Sequence, residues 1–177
     1  MKFSLLLTLF PLLLFLRCSS STSSGYELCN WLGGYYITYD SCVSSLQPDP
    51  SSKTASYHQL AVISLNLTIT NATAVQSKFE TITGKERDNK TKSLLYNCLD
   101  LYTDNVPSLR LAANEAVSKN YTGAAEVVFK FSSMPGACDD KFRDKKGVDS
   151  PLMRENLDLM NLALVAHAIN DYLSNYY

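Results

Sequence analysis

Histidine is the first side chain to examine for chemistry, because it alone titrates near neutrality without help from its surroundings. This chain has two, His58 and His167, far apart in sequence. Neither sits in a His-x-x-x-His pair, and no Cys-x-x-Cys occurs, so the usual helical and hairpin spacings of metal ligands are missing. His167, between Ala166 and Ala168 and one turn after Leu164, reads as a hydrogen-bonded residue at a core edge. There is no Gly-x-Ser-x-Gly elbow for a serine nucleophile and no glycine-rich loop to cradle a phosphate. Asp139 and Asp140 supply two carboxylates, the equipment of a glycosidase. Their setting argues otherwise. Lys141, Arg143, Lys145 and Lys146 alternate there with Asp144 and Asp149, the pattern of a balanced, solvated turn. These residues predict neither an enzyme nor a protein with a resident metal or cofactor.

The cysteines carry the remaining chemistry, and their count depends on the leader. Lys2 precedes an apolar run, 5–16, broken only by Thr8 and Pro11, and small polar residues fill 19–24. That is the layout of a secretory signal peptide. It is too short for the roughly 20 residues of a membrane-spanning helix. The segment 1–24 is therefore read as a signal, cleaved after Ser20 or Ser24, leaving one domain over 25–177. Cys18 departs with it. Cys29, Cys42, Cys98 and Cys138 remain, an even number in an oxidising compartment, which predicts two disulfides with three pairings open. Sequons at Asn66, Asn71, Asn89 and Asn120 fit the same route and predict N-glycosylation, with Asn66 and Asn71 on a solvent face. Net charge is −1 with a pI near 6.1 and no basic stripe, which excludes nucleic acid as the expected partner.

The elements that must hold these cysteines are helical by period. Residues 26–46 read as two short helices folded at Gly33-Gly34, and Pro48 and Pro50 turn the next stretch into a linker. Over 54–82, Leu65, Ile69, Ala72, Gln76 and Phe79 step by three and four, which favours a helix over the strand alternation visible locally in 64–70. A second long element covers 91–119, with a kink or local break expected at Pro107. A third spans 121–134, ending near Pro135-Gly136, and the charged stretch 139–146 follows. Ser150-Pro151 reads as an N-cap serine with proline at the first helical position, opening a final helix that is apolar nearly all round from Asn156 to Leu173. The fold expected is all-α, an antiparallel four-helix bundle preceded by a short helical hairpin.

Taken in order, several motifs resemble the plant invertase and pectin methylesterase inhibitor family across about 26–177. They are Cys29 and Cys42 around a hairpin, Leu46 with Pro48-Asp49-Pro50, Cys98-Leu99-Asp100-Leu101-Tyr102, Cys138-Asp139-Asp140 with Phe142, Lys145-Lys146-Gly147, and Ser150-Pro151. The long gap between the first two cysteines looks most like the pollen-allergen-like branch. The resemblance implies bridges Cys29–Cys42 and Cys98–Cys138. It implies a monomer that binds one-to-one to a plant pectin methylesterase or acid invertase and reversibly occludes its substrate cleft. The implied location is extracellular, in the apoplast or cell wall, with the vacuole as second choice. Invertase inhibitors also carry a Pro-Lys-Phe triplet against their target. Here the comparable stretch is Ser118-Lys119-Asn120-Tyr121-Thr122, with a sequon inside it. Pectin methylesterase is therefore the first target expected and acid invertase the alternative. A secreted helical binding protein without inhibitory action is the third reading.

Overall fold

The computed structural model describes residues 25–32, 37–147 and 149–177. The predicted signal, with Cys18, and the Gly33-Gly34 bend lie outside them. Every regular element described is helical: α1 (Glu27–Leu32), α2 (Tyr39–Leu46), a 3-10 turn (Pro50–Lys53), α3 (Tyr57–Lys85), α4 (Asn89–Val117), α5 (Tyr121–Ser132), α6 (Met134–Lys146) and α7 (Met153–Tyr176).

The bundle closes as a square. α3 packs on α4 and α7, α5 packs on the same two, and α6 extends the third column beside α4 and α7. The core has two parts. The larger runs through the bundle around Phe79, Tyr102, Leu109, Phe131 and Leu159. The smaller seals the hairpin onto one end, where Leu28, Leu46 and the Cys29–Cys42 pair meet Leu60, Tyr121, Ile169 and Leu173. Gly25 locks that end from outside. Its N–H donates to Lys53 O at 3.1 Å, and a Cβ there would stand 1.9 Å from the Ser52 carbonyl oxygen, so no larger residue fits without moving backbone.

Helix starts are encoded locally. Ser56 caps α3 in a reciprocal box with Gln59, Asp88 caps α4 through Thr91 N, and Asn120 caps α5 through Gly123 N, each satisfying a donor that the first turn leaves open. The β-branched content of α3 is absorbed by back-bonding. The hydroxyls of Thr68, Thr70, Thr73, Thr81 and Thr83 all donate to the carbonyl four residues earlier, which satisfies them inside a helix. The period-two pattern in 64–70 is thus overruled by the apolar face that Leu65, Ala72 and Phe79 bury.

Two expectations need correction and a third is narrowed. α4 runs without a break through Pro107, which leaves only the kink of the two outcomes expected there. That residue is exposed, so water can serve the carbonyl it leaves without a donor. The third helix breaks at Ser133, before Pro135-Gly136. Proline then sits in the first turn of α6, where its missing N–H costs nothing, and the charged 139–146 stretch is helix up to Gly147, whose φ of 62° ends it. Finally, Ser150 does not cap α7. The helix begins at Met153 with no side-chain cap, because the Ser150 hydroxyl is engaged elsewhere.

Candidate functional site

The cysteines pair as Cys29–Cys42, with Cα atoms 5.7 Å apart between α1 and α2, and as Cys98–Cys138, 5.1 Å apart, joining α4 to α6. Beside the second bridge lies a polar cluster that the sequence hides. Asp139 is only 7% exposed. Its Oδ1 accepts from Ser150 Oγ at 2.5 Å and from Asn156 Nδ2 at 2.6 Å. Tyr102 OH in turn donates to Asn156 Oδ1 at 2.7 Å. Burial, and then the charge of Asp139, push the Tyr102 phenol well above its usual pKa, so it remains a donor. The reading of Asp139 as a solvated acid is therefore wrong. It ties α4, α6 and α7 together, which is why Ser150 is unavailable as a cap. Asp140 does face water, paired with Arg143 at 2.8 Å.

The two histidines hold structure rather than meet each other. His58 Nδ1 lies 2.9 Å from Tyr121 OH, linking the start of α3 to the start of α5. His167 Nδ1 lies 3.2 Å from Ala125 O, and its ring packs against Phe129 at a tilt of 43° with centroids 4.8 Å apart. Among the described residues no three His, Cys, Asp or Glu side chains gather as metal ligands, and no helix is long and apolar enough to cross a membrane.

Two open depressions lie at the hairpin end. The α4–α5 turn is three residues long, with Lys119 at its tip in the left-handed region (φ 63°). Asn120 locks the turn. Its Oδ1 accepts from Gly123 N at 3.2 Å and its Nδ2 donates to Glu115 Oε2 at 2.6 Å. Next to this turn, Val117 joins Ser51, Thr54, His58 and Ile63 around a depression of about 540 Å³. Around the corner, Trp31 (72% exposed), Phe129 and Tyr176 stand out from α1, α5 and α7 over a groove of about 650 Å³ that also holds His167, Asp171 and Asn175. Sequence reasoning missed this aromatic face. The spacing of Phe129 and Tyr176 fits a core as well as a surface, and only the fold shows which side faces out. Asn66, Asn71, Asn89 and Asn120 are all exposed, the first two on α3, Asn89 at the first residue of α4.

Two bridges staple the helices together, and an aromatic groove lies open beside the hairpin. The sequence model of the family described as plant invertase/pectin methylesterase inhibitor matches residues 18–169, and the chain belongs to that family of proteinaceous enzyme inhibitors. It is 33% identical to a Platanus acerifolia protein described as "Putative invertase inhibitor", over 98% of both chains. It is 30% identical to the Arabidopsis thaliana "Cell wall / vacuolar inhibitor of fructosidase 2", over 76% of this chain and 77% of that one. A crystal structure of a pectin methylesterase inhibitor from Arabidopsis thaliana superposes with a TM-score of 0.62 at 23% identity, covering 88% of this chain and 97% of the other, and so shares its fold.

Proposed function

We propose that the chain is a secreted, non-catalytic inhibitor that binds one-to-one over the substrate cleft of a plant cell-wall enzyme, pectin methylesterase first. The signal is removed after Ser20 or Ser24, the free protein is a monomer, and its site of action is the apoplast. At least some of Asn66, Asn71, Asn89 and Asn120 carry glycans, because all four are exposed in a chain routed through secretion. The observation that carries the choice of target is the α4–α5 turn. It lacks the Pro-Lys-Phe triplet, is closed on itself by Asn120, and bears a sequon at that residue. A turn so built is poorly equipped as a probe for a pocket-shaped active site, which leaves the helix faces and the hairpin to cover a cleft. About 800 Å² per partner suffices for a specific complex of this kind.

Acid invertase is the second reading. The 33% and 30% identities to proteins described as invertase or fructosidase inhibitors, against 23% to an Actinidia deliciosa "Pectinesterase inhibitor", support it. Parallel assays separate the two. Methanol release by pectin methylesterase falls with micromolar inhibitor at mildly acidic pH while sucrose hydrolysis by acid invertase does not. The reverse pattern transfers the assignment to invertase, and silence in both assays with a folded monomer leaves a non-inhibitory binding protein.

A further inference from the structure

We propose that the end of the bundle opposite the hairpin is a binding site for a linear acidic polysaccharide of the polyuronate type, the polymer that de-esterified pectin becomes. The proposal rests on the reading of the chain as an inhibitor of a wall enzyme and concerns a surface away from the hairpin end.

The fold assembles this site from two charged segments far apart in sequence. Segments 85–92 and 140–147 together carry eight Lys or Arg against four Asp or Glu, in a chain whose net charge is −1. The Cys98–Cys138 bridge fixes α4 beside α6. Two turns back from Cys98 lies Lys90, and two turns on from Cys138 lies Lys145. Both line one pocket of about 440 Å³, together with Asn89, Ser93, Leu94 and Asn97.

Three of those four acids, Glu86, Asp88 and Asp140, have partners of their own, while Asp144 stays exposed between Arg143 and Lys145 in sequence. Asp139, just ahead of these lysines in sequence, points inward to Ser150 and Asn156. Asp140 takes Arg143. Glu86 Oε1 accepts from the backbone N–H of Arg87 and Asp88 at 2.7 and 2.8 Å, and Asp88 caps α4 through Thr91 N. Among the described residues, no ion pair engages Lys85, Lys90, Lys92, Lys141 or Lys145. Ammonium groups spaced across two helices suit carboxylates repeated along a chain, while the amides of Asn89 and Asn97 and the Ser93 hydroxyl suit sugar hydroxyls. No aromatic side chain lines the pocket, so nothing there stacks nucleic-acid bases. A polymer held at this end would keep the inhibitor where its target works and leave the hairpin end free.

The test uses glycan-free protein from an oxidising bacterial compartment, so that no glycan on Asn89 screens the pocket. Retention is measured on immobilised polygalacturonate, on fully methyl-esterified pectin and on single-stranded DNA. The wild type is retained on polygalacturonate at low ionic strength and released by about 0.3 M salt, as screened charge requires. It passes the esterified polymer and binds DNA at least about tenfold more weakly than polygalacturonate at matched salt. The double variant Lys90→Glu, Lys145→Glu loses about tenfold or more in affinity for polygalacturonate, with unchanged circular dichroism and unchanged inhibition. Retention equal to wild type in that variant overturns the proposal, and so does binding to DNA as tight as to polygalacturonate. Because enzyme assays run alongside, inhibition without retention sinks this site alone. Retention without inhibition sinks the inhibitor reading and leaves the site.

Discussion

The carboxylate of Asp139 accepts two hydrogen bonds from neutral donors in a setting nearly closed to water, and removing it strands both donors. A buried donor without a partner costs about 1–3 kcal/mol. Asp139→Ala is therefore expected to lower stability by about 2–3 kcal/mol, read as a lower urea midpoint with native helix content. Asp139→Asn keeps an acceptor at Oδ1 and should lose less. Asn120 allows a second comparison. Asn120→Ala removes the α5 cap together with the sequon and should cost about 1 kcal/mol, whereas Asn120→Ser removes the sequon and keeps a capping oxygen, at a few tenths. Both variants lose any glycan at this position by intact mass. If invertase inhibition appears in both and not in glycosylated wild type, the glycan on the turn was the obstacle.

At the scale of elements, the helices were legible because their signals are local: the three-and-four stepping of α3, and the residues from Asn156 to Leu173 of α7, apolar nearly all round. What failed were signals with two uses. Ser150-Pro151 has the composition of a helix start, yet its hydroxyl is claimed by Asp139 from another helix, a competition no local pattern encodes. Pro135-Gly136 reads equally as a stop or as a first turn, and the bundle column that α6 extends decides it. The candidate surface was barely legible, because Trp31, Phe129 and Tyr176 come together only when three separate helices are packed. Two element-level ties are measurable. In the chain-entropy account the loop of 40 closed by Cys98–Cys138 stabilises more than the loop of 13 closed by Cys29–Cys42, by about 1 kcal/mol. Replacing each pair by serines should give midpoints in that order. Lys78 and Glu155, 3.0 Å apart, tie α3 to α7 at the surface. The Lys78 hydrogen bond is the main cause that lowers the Glu155 pKa, so the contribution is present above the ordinary carboxylate pKa and is lost as pH falls through the lowered value. Because both side chains are more than a third exposed, Glu155→Gln should cost no more than about 0.5 kcal/mol at neutral pH, and progressively less as Glu155 becomes protonated in acid.

For the whole molecule, the two cores and two bridges imply a body that binds without refolding, and that has a measurable consequence. A partner that engages only the folded inhibitor lowers its global opening by the factor 1 + [L]/Kd. With target enzyme at about a hundredfold over Kd, the slowest-exchanging amides should therefore exchange about a hundredfold more slowly, equivalent to about 2.7 kcal/mol. Those amides belong to the buried faces of α3, α4 and α7, around Phe79, Tyr102 and Leu159, which open only with the whole bundle. Hydrogen exchange followed by mass spectrometry reads the inhibitor's own peptides in the mixture, so the enzyme's stability does not interfere. The slowing should appear with pectin methylesterase and be absent with acid invertase. Equal slowing with both enzymes would mean that the closed α4–α5 turn does not discriminate between them. Protection confined to a few exposed segments, with the core unchanged at saturating enzyme, would mean that the inhibitor opens as readily in the complex as alone, which a rigid plug over a cleft cannot do.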